Sequence, residues 1–280
     1  CAESFFCCRN YATPACNGMV ERTTRALVLA AAGMAAMLDG RPALAIVDEI
    51  QVYTDDLNER GERGLELHVN TTPRGRKTPD YDGDLPPYHS TRITPEFSWG
   101  LGNNFESGLY FPGAVDAHGN IYLAGTKARL KWLPVHGGEG EGGWYFGANS
   151  ELSNLSRKYS ESRLSAELRV IGGYRAKEWL IGMNPIFDWS LSPGHRGSPD
   201  LTLAWKAVRD VEPGISLGGE YYNDVGTLAN RLPRDQQNRT LYLVAEIERK
   251  SWSVNFGIGH GLTPASDNWT VKAIFGFSLN

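Results

Sequence analysis

Charged residues at alternate positions are the feature of this sequence that could bind or select a solute. Lys127, Arg129 and Lys131 repeat at i, i+2 and i+4, so an extended strand would carry them as one basic ladder on a single face. Glu246 and Glu248 share this spacing and form an acidic pair in a later stretch of the chain. Rows of fixed charge are typical of a water-filled path that selects small solutes by size and charge.

The same alternation predicts a larger polar set on the inner face of a closed sheet. Two interpretations stay open, a patterned pore and a set of salt bridges that braces a closed interior. The sequence does not show which rows face each other, because that depends on the stagger between strands. The candidate lumen-lining residues are Glu66, His68, Glu96, Lys127, Arg129, Lys131, Glu151, Glu167, Arg169, Lys206, Glu220, Glu246, Glu248 and Lys272.

Catalytic, cofactor and metal sites are not predicted. His68 and His260 could serve as bases, as in barrel enzymes that modify lipids, but no His-x-Ser-Asn pattern accompanies either of them. No His/Cys cluster has the spacing of metal ligands. The glycine-rich stretch Gly138–Gly143 lacks the Lys-Ser/Thr ending of a phosphate-binding loop, which favours a turn. A lipid-modifying enzyme is therefore the least supported alternative.

Twelve stretches with period-2 alternation are the elements that would position these residues. Short and long connections alternate between them, with one exception after the fourth, at Leu133–Gly143. An even strand number with short turns at one end is expected of bacterial outer-membrane barrels. The predicted strands are Gly64–Thr72, Ser90–Leu101, Asn104–Phe111, Asn120–Trp132, Trp144–Leu152, Glu161–Tyr174, Trp179–Leu191, Asp200–Arg209, Gly214–Asn223, Arg239–Glu248, Trp252–His260 and Trp269–Asn280.

The fold class that follows is all-β, a single antiparallel transmembrane β-barrel of about twelve strands. Apolar side chains turned inward would enclose a wide apolar hole, so the apolar face is expected to meet lipid and the charged face water. A soluble β-sandwich competes with this interpretation, but its strands average about five to six residues, fewer than here. Aromatic girdles at two membrane interfaces would contain Trp99, Trp132, Trp144, Trp179, Trp252 and Trp269.

The front of the chain differs from the rest. Residues 1–18 hold all four cysteines and are predicted to be an upstream extension without function. Residues 19–45 have a positive region, an apolar run and an Ala43-Leu44-Ala45 cleavage site, which predict a secretory signal peptide outside the fold. Its removal changes the formal net charge from −4 to −5, which argues against a nucleic-acid partner. Residues 46–63 are then a periplasmic lead-in, and residues 64–280 the barrel.

The last strand carries a family resemblance. Trp269, Val271, Ala273, Phe275 and Phe277 share one face, and the stretch resembles the closing strand of Gram-negative outer-membrane β-barrels. The hairpin LGNNFESGLYFPG, Leu101–Gly113, is similar to one in small proteobacterial barrels assigned as outer-membrane transporters, including those of aromatic-degradation pathways. The resemblance implies an outer-membrane location, contact with lipid, recognition of Trp269–Asn280 by the barrel-assembly machinery, and passive passage of small hydrophilic or aromatic solutes. A structural or surface-interaction barrel with a closed, salt-bridged lumen remains the alternative.

Overall fold

The computed structural model describes residues 49–137, 142–193 and 197–279. The predicted upstream extension, the signal peptide and residues 46–48 of the lead-in lie outside these residues. None of the described residues belongs to a helix that could cross a membrane. The strands are β1 (Arg63–Arg74), β2 (Thr91–Gly102), β3 (Phe105–Tyr110), β4 (Gly113–Val115), β5 (Ile121–Leu123), β6 (Gly125–Val135), β7 (Gly143–Leu155), β8 (Leu164–Arg175), β9 (Trp179–Ser190), β10 (Asp200–Glu212), β11 (Ile215–Thr227), β12 (Arg239–Glu248), β13 (Trp252–Gly261) and β14 (Trp269–Ser278).

These strands form one closed antiparallel sheet. Apart from β3 to β6, the strands pair with their neighbours in chain order, and β1 pairs with both β2 and β14, which closes the ring. Both β3 and β4 pair with β2, so they are two pieces of one barrel strand. The next barrel strand is likewise made of β5 and β6, which pair with β4 and β3. The ring therefore has twelve barrel strands, and the predicted fold class and strand number are confirmed.

The two breaks have local causes. Pro112, between β3 and β4, has no backbone N–H to donate to the ladder. Between β5 and β6, the N–H of Ala124 donates to the carbonyl oxygen of Pro112 at 2.8 Å instead of continuing the regular pairing. Gly125 follows with φ +146°, and a Cβ atom there would lie 2.0 Å from the carbonyl oxygen of Asn154, so only glycine fits.

The two faces of the ring have the polarity of a membrane barrel. The outward side chains of Leu243, Trp144 and Leu152 are 74%, 72% and 60% exposed. By contrast, Glu96 is only 1% exposed and Lys272 is completely buried. Apolar side chains outside and ionised side chains inside are the reverse of a soluble protein, and they suit a ring surrounded by hydrocarbon.

One end of the ring, here called the turn end, has the shorter connections. The β2–β3 turn there contains Asn103 and Asn104, both at positive φ as a type I′ hairpin requires. The predicted exception after the fourth strand is largely removed, because β6 continues through a register shift to Val135. The opposite end, here called the loop end, has the longer connections, such as residues 75–90 and 228–238.

Tryptophans are unevenly divided between the two ends. Those expected in two girdles lie mainly at the turn end, where β7, β9 and β13 begin at or next to Trp144, Trp179 and Trp252. Trp99 and Trp132 lie near the same end, and Trp132 stacks on Phe105 at 6.0 Å between ring centroids. Trp269 starts β14 at the loop end. The ring thus has a dense tryptophan belt at its turn end, a typical feature of a membrane interface.

Candidate functional site: the barrel interior

The segment that precedes β1 lies inside the ring. Residues 49–58, called the inner segment, contact side chains of β3, β6, β8, β9 and β14. A short peptide that touches strands all around a closed ring must lie within it. The sequence predicts residues 46–63 as a lead-in near the periplasmic end, and its alternation pattern does not indicate that the chain enters the barrel.

The segment enters at the turn end through a close backbone contact. The N–H of Gly61 donates to the carbonyl oxygen of Gly100, and the N–H of Gly100 donates to that of Glu62, each at 2.9 Å. A Cβ atom on Gly100 would lie 1.8 Å from the carbonyl oxygen of Glu59. Glycine at this position on the inner face of β2 therefore permits the chain to turn into the ring.

Asn184 of β9 holds the middle of the inner segment as a neighbouring strand would. Its Oδ1 accepts from the N–H of Tyr53 at 2.6 Å, and its Nδ2 donates to the Tyr53 carbonyl oxygen at 3.0 Å. Both residues are buried, Asn184 completely. This single side chain satisfies both backbone polar groups of Tyr53, which would otherwise be left unpaired in the interior.

The Tyr53 side chain belongs to an aromatic and cationic cluster. Its hydroxyl lies 2.9 Å from that of Tyr110, and the guanidinium of Arg169 lies 4.3 Å from its ring centroid. Around it packs an apolar cluster inside the ring. This apolar cluster, which includes the Tyr53 ring itself, consists of Ile50, Tyr53, Leu133, Tyr145, Ile171, Leu180, Val208, Tyr242 and Val244.

Charged side chains of the wall bind the inner segment along its length. Arg175 pairs with Asp55 through two hydrogen bonds of 2.7 Å each, the strong bidentate geometry. Further contacts go to its backbone, from Lys131 to the carbonyl of Asp56, from Arg169 to that of Gln51 at 3.0 Å, and from Lys272 to that of Ile50 at 2.9 Å. The wall thus holds the segment with these cations from several strands, of which only Lys131 belongs to the basic ladder.

The basic ladder also pairs with carboxylates of the wall. Lys127 Nζ lies 3.0 Å from Glu151 and 3.6 Å from Glu49, and Arg129 bridges Glu96 and Glu106 at 2.6 Å each. The Arg129 and Glu96 side chains are 7% and 2% exposed. A buried guanidinium shared by two carboxylates is costly to disrupt, because removing it leaves two buried anions.

Other candidates pair farther around the ring. Lys272 donates to Glu220 at 2.5 Å, Lys206 contacts Glu246, and Arg169 donates to Glu167 at 3.1 Å. His68 lies near Glu66 and Glu96. Glu248, the last residue of β12, is exposed and is not part of these buried pairs. That the whole set lines a solute path stays a prediction.

Several residues of the interior were not among the candidates. Asn184, Tyr53, Tyr110, Asp55 and Arg175 all take part in holding the inner segment. The available signal was charge complementarity, since an acidic lead-in, with Glu49, Asp55 and Asp56, accompanies a basic ladder. That signal does not show which residues meet.

A cavity of about 160 Å³ occupies the loop-end part of the interior. The inner segment bounds it through Glu49, Ile50 and Gln51, and loop residues such as Asp80 and Tyr81 line its other side. Burial, together with the charge of Asp84, raises the pKa of the half-buried Tyr81 above its usual value, so its hydroxyl is neutral. The cavity is mainly polar around its loop side, and Arg76 there pairs with Asp267 at 3.4 Å.

A closed antiparallel ring with this polarity defines the class of protein: the chain has the fold of an outer-membrane β-barrel channel. The COG4313 outer membrane channel from Pseudomonas putida F1 is similar, at 11% identity and a TM-score of 0.54, over 82% of this chain and 100% of that one. The KdgM porin is similar at 10% identity and a TM-score of 0.50, over 78% and 99%. No protein-family model matches the sequence. No curated protein matches it either.

Proposed function

We propose that this protein is a channel of the bacterial outer membrane for small hydrophilic or aromatic solutes, closed by its own inner segment. The observation that supports it best is the division of the interior into an open cavity at the loop end and a filled turn end. A solute could enter the cavity from the loop side. It could pass only when the inner segment moves.

The placement in the membrane belongs to the same proposal. The exposed apolar face would contact outer-membrane lipid, and Trp269–Asn280 would be read by the assembly machinery after removal of residues 19–45. Passage rather than catalysis is favoured by the surroundings of the two histidines. In the described chain, His68 has carboxylate neighbours and His260 Nδ1 lies 2.9 Å from the carbonyl oxygen of Asn268, with no serine hydroxyl among their hydrogen-bond partners.

Solute flux into liposomes tests the proposal. We expect the variant Tyr53→Ala/Asp55→Ala to admit a small sugar such as arabinose several-fold faster than the unaltered protein, because it weakens the hold on the inner segment. Glu178→Gln, which removes an exposed pair with Arg209 at the same end, serves as the matched control and should not change the flux. If neither the protein nor the double variant admits solute faster than empty liposomes, the channel function is wrong.

A braced, closed barrel is the second candidate, and the density of buried ion pairs favours it. It predicts that neutralising Lys127, Arg129 and Lys131 together to methionine lowers the melting temperature and leaves permeability unchanged. A channel predicts that the same change alters the permeability or the ion selectivity as well. Measuring both quantities on one preparation separates the two functions.

A further inference from the structure

Three side chains with metal-binding atoms converge on the inner wall beside the inner segment. Glu66 and His68 lie on β1 and Glu96 lies on β2, and their ligand atoms are all within 4.8 Å of one another. His68 Nε2 is 3.3 Å from Glu96 Oε2 and 3.6 Å from Glu66 Oε2. His68 and Glu96 are buried, while the Glu66 side chain is 37% exposed, so an ion has access from the interior.

Strand register brings two negative charges face to face. Glu66 and Glu96 are direct partners across β1 and β2, and His68 is two residues farther along the same face. Like charges in this position repel each other. Arg129 offsets part of the repulsion, but it is shared between Glu96 and Glu106. In the described chain, the ion pairs of Glu66 are limited to His68, which leaves an excess of negative charge at this point.

Two of the three separations between ligand atoms suit a tetrahedral ion. Zinc bonds to nitrogen and oxygen of about 2.0–2.1 Å, at the tetrahedral angle, separate ligand atoms by about 3.3–3.4 Å. The distances from His68 Nε2 to Glu96 Oε2 and to Glu66 Oε2, 3.3 Å and 3.6 Å, are close to this ligand–ligand distance. Hydrogen bonds of this type are usually shorter, at about 2.9–3.0 Å.

Unsatisfied polar atoms surround the same point. Within the described ranges, His68 Nδ1, Thr94 Oγ1 and Gln51 Oε1 are buried and have no hydrogen-bond partner. His68 and Thr94 are completely buried and are partners across the two strands. The side-chain nitrogen Nε2 of Gln51 lies 3.4 Å from Glu66 Oε2. A 180° rotation of this amide exchanges its nitrogen and oxygen, which places Oε1 beside Glu66 instead. Such a concentration is uncommon in a folded protein and indicates an ion or water site.

We propose that Glu66, His68 and Glu96 bind a divalent transition-metal ion of the Zn²⁺ class, with the Gln51 side-chain oxygen as a fourth ligand. One imidazole and carboxylate oxygens are a ligand set that Zn²⁺ accepts. Because Gln51 belongs to the inner segment, the bound ion would tie that segment to β1 and β2. The sequence alone predicts no metal site, since Glu96 is distant from His68 in sequence and only the strand register brings the two together.

Metal titration of the intact barrel tests this site. The protein is purified without an affinity tag, treated with EDTA, and titrated with ZnCl₂ by calorimetry and with Co²⁺ by visible absorption. We expect about one equivalent to bind, with the absorption of a tetrahedral Co²⁺ site. His68→Ala should weaken binding by more than about 100-fold, since loss of a ligand exceeds the 10–100-fold cost of losing a supporting residue.

Three further variants keep the test decisive. Glu66→Gln should lose Zn²⁺ binding while the metal-free protein stays folded, because the substitution relieves repulsion. Gln51→Ala should weaken binding by about tenfold, and His260→Ala, at an exposed position on β13, should not change it. The proposal is overturned if the unaltered protein shows no saturable binding near one equivalent. It is also overturned if Glu66→Gln and His68→Ala bind Zn²⁺ as tightly as the unaltered protein.

Discussion

The turn-end and loop-end halves of the interior contrast sharply, although the same twelve strands enclose both. The turn-end half is filled by the inner segment, which Asn184, Arg175 and Lys131 hold through specific hydrogen bonds. The loop-end half encloses a cavity of about 160 Å³ lined by residues of the wall and the loops. Under the proposed function, the inner segment rather than the diameter of the ring closes the path for solutes.

The largest expected difference between the halves concerns a buried cation. Arg129→Met leaves Glu96 and Glu106 buried without their shared partner, and should lower the free energy of unfolding by about 3–5 kcal/mol. Arg76→Met, at the loop end, removes a partly exposed cation and should cost less than about 1 kcal/mol. Urea unfolding in detergent or lipid measures both, and equal losses would contradict the contrast.

A steric change at the entrance comes next. Gly100→Val places side-chain atoms where the backbone of Glu59 now lies, so the inner segment must shift. We expect a loss of about 1–3 kcal/mol in unfolding free energy and a higher conductance in planar bilayers. The matched control is Gly172→Ala, where an added Cβ would lie 3.9 Å from the nearest atom, on Phe146. A closed Gly100→Val channel with unchanged stability would show that the entrance tolerates crowding.

A smaller effect is expected where a salt bridge holds the segment. Asp55→Asn weakens the bidentate pair with Arg175, whose side chain is 34% exposed, so the cost should be about 1 kcal/mol. A closed state destabilised by about 1 kcal/mol should open about fivefold more often in single-channel records. Glu178→Gln removes the exposed pair with Arg209 and should not alter the openings. Equal gating by both variants would exclude a role of Asp55 in closure.

The smallest effect on stability is expected at the loop end. Asp80→Asn removes one charge from the cavity lining and from the pair with Arg76. The unfolding free energy should change by less than about 0.5 kcal/mol, because the pair is partly exposed. The ratio of cation to anion permeability of an opened variant should decrease. A large loss of stability would mean that the loop-end half is braced like the turn-end half.

Alternation alone predicts most of this fold. Residues 269–278 alternate so regularly that both their strand and its two faces follow from the sequence, and the observed burial has the same period. The fourth predicted strand, Asn120–Trp132, is broken before Gly125. The third, Asn104–Phe111, is continued beyond Pro112 by β4, in a stretch that is not predicted as strand. Local chemistry of this kind is visible in a sequence, but its effect on pairing depends on the neighbouring strand.

The interior is less accessible to sequence reasoning. Parity identifies Arg129 and Glu96 as residues of one face, but their contact depends on the register of strands between them. The inner segment has no period-2 pattern, and its partner Asn184 lies 131 positions from Tyr53. Contacts at such a separation are decided by the closed ring as a whole. Glu96 beside His68 depends instead on the register between β1 and β2, which the long connection at residues 75–90 does not reveal.

Closure of the interior by residues 49–58 is tested most directly by single-channel recording of a variant in which these residues are deleted and the rest of the chain is kept. Heat-modified migration on gels first verifies that the deleted protein forms a barrel. We expect the deletion to give a steadily open channel, with a conductance at least several-fold above that of the unaltered protein in the same salt. Equal conductance of the two folded proteins would contradict it.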